Sequence, residues 1–356
     1  MAATDQAAVI EALRGVMDPE LHKDIVTLGM AKNIQVNDGK VSLLVTLTTP
    51  ACPLRETIER DVRAALAKVP GVSSVDLKFD ASVPEARRLE DKAPIPGVKN
   101  LVAVASGKGG VGKTTVAVNL AIALKNMGAL VGLLDADVYG PSVPLMLGLR
   151  ERPQSTDDRR IIPLQRFGVK VISLGLFIED HTPVIWRGPM ITKLLTQFLR
   201  DVEWGNLDYL VLDLPPGTGD AQLTITQQVA LTGGVIVTTP QDVALLDVKR
   251  SIVMFQQVNA PVLGVVENMS YHICSGCGDR AEPFGHGGGE KVARQFGIPF
   301  LGEIPLVREI REAGDTGKPI VAADPKHPQS QAFRSIAERI LAEIAARPES
   351  ALPMIH

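Results

Sequence analysis

The sequence is poor in cysteine, in aromatic residues and in long apolar runs. Three of its 356 residues are cysteine, and aromatic residues make up 4%. Three cysteines are too few for a disulfide scaffold, and their odd number is typical of a reducing compartment, so we expect a cytoplasmic protein. No apolar run approaches the roughly 18 residues of a membrane-spanning helix. Residues 1–20 mix acidic and basic side chains, which is unlike a secretory signal.

The chain also lacks a strong charge of either sign. Its net charge is −3, so nothing in its overall charge favours nucleic acid or an anionic membrane, and we expect neither as a partner. Hydrophobic residues make up 45% and charged residues 22%, which is ordinary for a globular protein. The mean hydropathy of +0.14 reflects many valine, isoleucine, leucine and alanine residues, as buried parallel strands require.

Residues 1–82 predict a small α+β domain. The second of its two predicted helices places Ile58, Val62 and Leu66 at helical spacing. Residues 83–98 carry three prolines among polar residues, which is the composition of a linker. The predicted elements are helices Ala7–Met17 and Leu54–Lys68 and strands Lys40–Thr46 and Val75–Phe79.

Residues 99–348 predict a larger α/β domain, with residues 349–356 as a tail. Short β-branched runs alternate with helical stretches, which indicates a doubly wound, mostly parallel sheet with its ligand at the carboxyl ends of the strands. A closing helix has one apolar face and a polar face of mixed charge, so we expect it to pack on the sheet. The strand-like runs are LVAVAS, LVGLLDAD, VKVISLG, DYLVLDL, GVIVTT, VLGVVENM and FLGEIP, and the apolar face is Phe333, Ile336, Ile340, Leu341 and Ile344.

A glycine-rich loop, GKGGVGKTT, follows the first of these strands and fits the pattern G-x-x-x-x-G-K-[ST]. Its backbone N–H groups and the start of the next helix would face phosphate oxygens. Lys113 would reach the β- and γ-phosphates, and the Thr114 hydroxyl would bind Mg²⁺. The predicted nucleotide-binding residues of the loop are Gly107, Lys108, Gly109, Gly110, Val111, Gly112, Lys113, Thr114 and Thr115.

Lys108 stands at the second position of this loop, where its side chain cannot easily fold back onto its own phosphates. The loop closely resembles the deviant Walker A motif of the MinD, ParA and nitrogenase-iron-protein class of ATPases. In that class this lysine crosses a dimer interface to the partner's nucleotide. The resemblance therefore implies a catalytic contribution from Lys108 in a nucleotide-dependent homodimer.

Three carboxylates follow predicted strands. Asp135 and Asp137 end the strand LVGLL, and Asp213 ends the strand YLVLD, where a carboxylate can hold Mg²⁺ through water. By resemblance to the same class, Asp137 is the catalytic residue that orients the attacking water, and Gly217 lies where the γ-phosphate is sensed.

The predicted base is adenine, so the predicted nucleotide is ATP. A guanine site needs a carboxylate, and the residues after the strand VLGVVE are Asn268, Met269 and Ser270. Asn268 could hydrogen-bond the adenine edge; the alternative is a turn residue after a strand.

Two of the cysteines, Cys274 and Cys277, lie three positions apart in YHICSGCGDR. Gly276 and Gly278 allow a tight turn that aims both sulfurs at one point. The residues that follow, DRAEPFGHGGGE, predict no helix, so the low-pKa cysteine of a thioredoxin-type pair is not expected and metal ligation is favoured. The HGGG run is typical of a flexible hinge.

Two thiolates are half of a zinc or [4Fe–4S] site. His272 and His286 are candidates for further ligands, whereas Cys52 lies in the other predicted domain. A two-fold dimer would instead bring four thiolates to one point on its axis. Lys108 implies the same assembly.

The motifs together resemble the Mrp/ApbC family of iron–sulfur cluster carrier ATPases, and residues 1–80 resemble the MIP-type domain of its bacterial members. The resemblance implies a [4Fe–4S] cluster held across a homodimer by Cys274 and Cys277, delivery from an assembly scaffold to apo-proteins, and ATP hydrolysis in that service. Cys52 matches a cysteine of the N-terminal domain and is either a functional thiol or a small buried side chain. The matching motifs are GKGGVGKTT, LLDADVYGPS, VIWRGPM, DLPPGTGD, ENMSYHICSGCG, FGHGGGEKVA and IREAGDTGKPI, with DPEL, Leu28-Gly29 and TTPACP in the N-terminal part.

Three other functions share parts of this pattern. A positioning ATPase of the MinD/ParA type would need a basic amphipathic tail or a basic patch, and the sequence predicts neither. A zinc-stapled ATPase, acting as a metallochaperone or scaffold, remains open because four thiolates also suit zinc. An electron-transfer ATPase like the nitrogenase iron protein carries its cluster cysteines singly on separate loops.

Overall fold

The computed structural model describes residues 6–17, 24–37, 39–47, 55–81, 95–137, 140–177, 188–217, 220–274 and 276–347. The chain separates into two compact units, one of residues 1–84 and 345–356 and one of residues 85–344. Cys52, the DPEL motif, most of the predicted linker and the predicted tail lie outside the described residues. Among the helices that are described, none is both long and apolar enough to cross a membrane.

In its described residues the first unit is a three-stranded sheet with two helices, as the α+β pattern predicts. Strand β2 lies in the centre, antiparallel to β1 and parallel to β3. Apolar faces of the helices and of β2 form its core, which includes Leu13, Val41 and Val62. The elements are α1 (Gln6–Arg14), β1 (Ala31–Asn37), β2 (Lys40–Leu47), α2 (Arg55–Leu66) and β3 (Ser74–Ala81).

Strand β1 was not predicted. The pairing of β1 with β2 shifts between Lys32 and Gln35, and Asn33 has a φ of 52°. This irregularity interrupts the alternation of apolar and polar residues by which a strand is recognised in sequence.

The second unit is an eight-stranded sheet in the order β13-β10-β9-β4-β8-β5-β7-β6. All neighbouring pairs are parallel except β6 and β7, so the predicted doubly wound, mostly parallel sheet is confirmed. The strands are β4 (Val98–Ala105), β5 (Val131–Asp135), β6 (Leu164–Arg166), β7 (Val169–Ser173), β8 (Leu207–Asp213), β9 (Gly233–Thr238), β10 (Val262–Asn268) and β13 (Phe300–Ile304), and β11 (His272–Ile273) and β12 (Arg280–Ala281) form a separate hairpin.

Helices cover this sheet and bury most of its central strands. Strands β5, β8, β9 and β10 are buried at every residue, which explains why they are read as continuous apolar runs. The predicted apolar face of the closing helix is buried. The helices are α3 (Lys113–Asn126), α4 (Val143–Leu147), α5 (Gly188–Arg200), α6 (Asp220–Gln228), α7 (Asp242–Gln257), α8 (Gly288–Phe296), α9 (Arg308–Asp315), α10 (Ile320–Ala323) and α11 (Pro328–Ala345), with a 3₁₀ turn at Leu174–Leu176.

Candidate nucleotide site and cysteine hairpin

The glycine-rich loop joins the buried strand β4 to helix α3. Gly110 and Gly112 have φ values of 82° and 81°, a left-handed conformation that side chains other than glycine rarely adopt. A Cβ on Gly107 would lie 2.2 Å from Cβ of Asp247, and one on Gly112 would lie 2.2 Å from Nδ2 of Asn268. The loop therefore needs glycine at these three positions.

The beginning of α3 suits an anion. Its N-cap residue, Gly112, provides no side-chain hydrogen bond to the first turn of the helix, and no acidic residue lies in that turn. The positive end of the helix dipole and the first backbone N–H groups thus face the loop, and the turn itself contains no carboxylate. This arrangement fits the phosphate groups of a nucleotide.

The structure brings together three of the predicted site residues at the carboxyl end of β8. The Lys113 ammonium lies 2.6 Å from Oδ1 of Asp213, and the Thr114 hydroxyl donates to Oδ2 at 2.7 Å. Lys113 is 6% exposed and Asp213 is fully buried. We call the glycine-rich loop, Gly107–Thr115, the phosphate loop. A hydroxyl oxygen and a carboxylate beside such a loop are ligands that Mg²⁺ binds, directly or through water.

Burial sets the ionisation of the two innermost carboxylates. Burial, followed by the charge of Asp213, raises the pKa of Asp135 to about 7, against the hydrogen bond from Ser173. The Ser173 hydroxyl donates to Asp135 Oδ2 at 2.8 Å. Burial also raises the pKa of Asp213, and the Lys113 ammonium opposes that shift.

Asp137 lies next to this group with one carboxylate oxygen unused. Its Oδ2 is 3.9 Å from the Lys113 ammonium, whereas its Oδ1 is buried and has no hydrogen-bond partner among the described residues. A buried acceptor without a donor is costly unless a ligand supplies one. The unpaired oxygen therefore fits a site that receives a hydrogen-bonding group.

The loop after β8 contacts the phosphate loop through its backbone. Gly217 N–H donates to the Ser106 carbonyl at 2.9 Å, and the Ser106 hydroxyl donates to the Lys108 carbonyl at 3.0 Å. The Lys108 ammonium lies 3.4 Å from Oε1 of Gln241, in the same chain. Sequence reasoning gave no role to Ser106 or Gln241. Ser106 directly follows β4 and Gln241 lies in the turn between β9 and α7, and these positions are the signal that was available.

Asn268 donates a hydrogen bond to the backbone of the phosphate loop. Its Nδ2 donates to the Val111 carbonyl at 2.8 Å, and the residue is 6% exposed. The predicted contact between Asn268 and adenine stays a prediction.

The cysteine pair lies at the end of the β11–β12 hairpin. Cys274 N–H donates to the Asp279 carbonyl and Gly278 N–H to the Cys274 carbonyl, both at 2.8 Å, so the hairpin end turns tightly. Backbone N–H groups of Cys277 and Gly276 lower the pKa of the Cys274 thiol, with a smaller contribution from the charge of His272. Cys277 is exposed. Hydrogen bonds to sulfur favour the thiolate, which is the form that binds metal.

Both histidines that the sequence offers as extra ligands contact other groups. Nδ1 of His272 lies 2.8 Å from the Leu306 carbonyl, and Nε2 of His286 lies 2.8 Å from Oε2 of Glu303. Each ring therefore has a partner at one nitrogen, and a role for either histidine beside Cys274 and Cys277 stays a prediction.

The prediction that the HGGG run is a flexible hinge is wrong. Helix α8 begins at Gly288, so the run starts a helix. A Cβ on Gly288 would lie 2.6 Å from the Pro240 carbonyl oxygen, and one on Gly289 would lie 3.1 Å from Oε2 of Glu267. These glycines are required by close packing. Glu267, which the sequence analysis missed, could have been noticed as an acid within the apolar run VLGVVEN.

Comparison with known proteins identifies related families for both units. A family model described as NUBPL iron-transfer P-loop NTPase matches residues 97–341, and one described as iron-sulfur cluster assembly protein matches residues 6–77. Curated relatives named iron-sulfur cluster carrier protein are 49% identical in Synechocystis (97% of this chain, 99% of that one) and 50% in Deinococcus radiodurans (97% of each). The Escherichia coli relative of the same name is 42% identical (95% and 92%).

Solved structures resemble the larger unit. One is a nucleotide-binding protein from Archaeoglobus fulgidus in complex with ADP, in which cobalt was found. It has a TM-score of 0.59 and is 38% identical, and the match covers 67% of this chain and 93% of that one. The cell division ATPase MinD of Pyrococcus furiosus has a TM-score of 0.52 and 25% identity, covering 68% and 98%.

Proposed function

The chain belongs to the NUBPL iron-transfer P-loop NTPase family, and we propose that it is an ATP-hydrolysing carrier of iron–sulfur clusters. It would hold a [4Fe–4S] cluster between two copies and deliver it to apo-proteins in the cytoplasm. The observation that carries the proposal is the cysteine pair, whose backbone favours the thiolate, on the same unit as the phosphate loop. Relatives over nearly the whole chain are named iron-sulfur cluster carrier proteins.

We propose that the glycine-rich loop binds ATP with Mg²⁺. The backbone of Gly107–Thr115 would surround the phosphates, Lys113 would contact the β- and γ-phosphates, and Asn268 would contact adenine. Thr114 and Asp213, which converge within hydrogen-bond distance, would hold Mg²⁺. Mg²⁺ bound there neutralises charge on the phosphates. The relative from Archaeoglobus fulgidus in complex with ADP supports this assignment.

We propose that Asp137 orients the attacking water through Oδ1. That oxygen is buried and lacks a donor among the described residues. The Lys113 ammonium, 3.9 Å from Oδ2, would help to orient the carboxylate. The contact of Gly217 with the Ser106 carbonyl connects the loop after β8 to the phosphate loop.

The cluster is the cargo of this proposal, and each copy supplies two of its four thiolates, Cys274 and Cys277. A site completed by two copies loses its cargo when the copies separate, which suits a carrier. Lys108, which the described chain leaves within 3.4 Å of Gln241, would contact the nucleotide of the partner copy.

Anaerobic reconstitution with iron and sulfide tests the proposal. Wild-type chain should gain broad absorbance near ~400 nm, bind about four irons per dimer and pass them to an apo-ferredoxin acceptor. Cys277→Ser should lose iron and transfer, whereas Lys291→Ala, at an exposed residue of the same unit, should retain both. Stoichiometric zinc with no uptake of iron would instead favour the zinc-stapled alternative.

A further inference from the structure

We call residues 271–286 the cysteine loop. This loop leaves the sheet after Ser270 and returns at Gly287, and one carboxylate contacts both ends. Oε1 of Glu267 accepts hydrogen bonds from the Ser270 hydroxyl at 2.6 Å and from Gly287 N–H at 3.0 Å. Its Oε2 accepts one from Gly289 N–H at 2.6 Å. Glu267 is 0% exposed, so these donors and the start of α8 compensate a buried charge.

A second carboxylate completes the base of the cysteine loop. Glu303 lies opposite Glu267 in the neighbouring strand β13. Its Oε2 is 2.8 Å from the Ser270 hydroxyl oxygen and 2.8 Å from Nε2 of His286. A hydroxyl carries one proton, so the two carboxylates compete for the hydrogen bond that it donates. Such a network is sensitive to the loss of one oxygen.

The first end of the cysteine loop is linked to the phosphate loop through Asn268, the last residue of β10. Asn268 follows Glu267 directly and donates to the Val111 carbonyl at 2.8 Å. Between Asn268 and Ser270, Met269 has a φ of 56°, an unusual conformation for its residue type. A shift of the phosphate loop at Val111 would therefore move Asn268, the residue next to Glu267 in the chain.

A contact on the other side also reaches the phosphate loop. The backbone of Gly288, at the start of α8, packs so closely on the Pro240 carbonyl that a Cβ there would lie 2.6 Å from its oxygen. The next residue, Gln241, lies 3.4 Å from the Lys108 ammonium. Both ends of the cysteine loop are therefore connected to the residues that surround the phosphates.

We propose that Glu267 is a positioning residue that couples the phosphate loop to Cys274 and Cys277, so that nucleotide binding changes how firmly the pair holds its metal cargo. The inference rests on the proposed function in assigning the cargo to these cysteines. Coupling of this kind is reciprocal, so cargo would change nucleotide affinity by the same factor.

Site-resolved alkylation tests the coupling without any cargo. The rates at which iodoacetamide modifies Cys274 and Cys277 are measured by mass spectrometry with and without saturating Mg·ADP. Sedimentation measurements are used to choose a protein concentration at which the oligomeric state is the same with and without nucleotide. Glu267→Gln replaces an acceptor oxygen with a donor amide and cannot satisfy both glycine N–H groups. Glu290→Gln is the matched control, because Glu290 follows Gly289 in helix α8 and its carboxylate pairs with Arg294 at the surface.

We expect Mg·ADP to change the wild-type alkylation rate by at least about fivefold, the lower end of usual coupling. In Glu267→Gln the change should fall below about twofold while ADP affinity stays within about threefold of wild type, and Glu290→Gln should retain the wild-type ratio. The inference is overturned by a wild-type ratio near one, by an unchanged ratio in Glu267→Gln, or by an equal loss in Glu290→Gln.

Two further measurements keep the inference testable. Should Glu267→Gln fail to fold, Ser270→Ala removes the shared hydroxyl and should also lose the nucleotide effect; a full effect in that variant contradicts the coupling. Oxygens of Glu267 and Glu303 and a ring nitrogen of His286 lie within 4.8 Å of one another. Stoichiometric cobalt(II) binding to a Cys274→Ser/Cys277→Ser variant that Glu267→Gln abolishes would assign ligation instead of positioning.

The outcome is distinguishable from failure of the proposed function. Absence of iron uptake and transfer defeats the carrier proposal and leaves the alkylation ratios unaffected. Normal iron transfer, together with alkylation ratios that Glu267→Gln does not change, contradicts the coupling alone.

Discussion

The ammonium nitrogen of Lys113 lies 2.6 Å from Oδ1 of Asp213, and both side chains are buried. Each charge compensates the other in a region of low dielectric constant, where an unpaired charge is strongly destabilising. Thr114 occupies the second oxygen of Asp213. Binding of phosphate and Mg²⁺ at these residues must therefore exchange an existing ion pair for new contacts, which favours ligands that carry both charges.

Removal of one partner should destabilise the fold. We expect Lys113→Met and Asp213→Asn each to lower the free energy of unfolding, by about 3–5 kcal/mol where a full charge is left buried. The double variant should lose clearly less than the sum, because no unpaired charge remains. Urea unfolding of the four chains measures this; simple additivity would show that the two residues do not depend on each other.

Asp137→Asn should separate binding from hydrolysis. The amide keeps the size of the side chain but cannot accept a proton or orient water in the same way, so ATP hydrolysis should fall by about 10²-fold or more. ATP affinity should stay within about threefold, measured by calorimetry. Asp157→Asn, an exposed carboxylate in the same unit, is the control and should leave both quantities unchanged. Hydrolysis at the wild-type rate in Asp137→Asn would remove Asp137 from the reaction.

Lys108→Ala should affect assembly more than binding. We expect the variant to bind ATP as a monomer and to lose the ATP-dependent dimer, because its ammonium is the group expected to reach the partner's nucleotide. Analytical ultracentrifugation with and without ATP measures the change. Lys291→Ala, at an exposed lysine of α8, should dimerise normally. If the Lys108→Ala variant dimerises at the same ATP concentration as the wild-type chain, this role is contradicted.

Asp135 should make stability depend on pH. Its folded pKa is raised from 3.8 to about 7, so its contribution to stability is fully present below pH 3.8 and is lost as pH rises through about 7. Between pH 5 and pH 8.5, wild type should therefore lose about 2–3 kcal/mol relative to Asp135→Asn, which cannot ionise. The comparison uses urea unfolding in EDTA.

Only the slope tests this assignment. Loss of the hydrogen bond between Asp135 and Ser173 adds an offset that does not change with pH. Parallel stability curves for the two chains would show that Asp135 titrates as it does in the unfolded state.

The larger unit is the part of the fold that sequence predicts best. Each central strand is a run of β-branched and aliphatic residues because helices bury both sheet faces, and turn residues mark its ends. Short or irregular strands such as β6, with three residues, and the two-residue strands of the cysteine hairpin lie below the length at which periodicity can be recognised.

The candidate site divides in the same way. Residues such as Lys113 and Asp213 belong to contiguous motifs whose spacing alone suggests phosphate and metal chemistry. Gln241 and Glu267 become meaningful only through contacts that the fold creates, with Lys108 and with Gly287 and Gly289. No local pattern contains those distances, so sequence reasoning could not assign them.

Because Ser270 and Gly287 meet at the same carboxylate, the cysteine loop begins and ends at nearly one point. An insertion with adjacent ends can be shortened, lengthened or exchanged while the strand before it and the helix after it stay in register. The loop therefore has the geometry of a transplantable module: a hairpin that carries Cys274 and Cys277, inserted between a strand of the sheet and helix α8, with Glu267 at the junction.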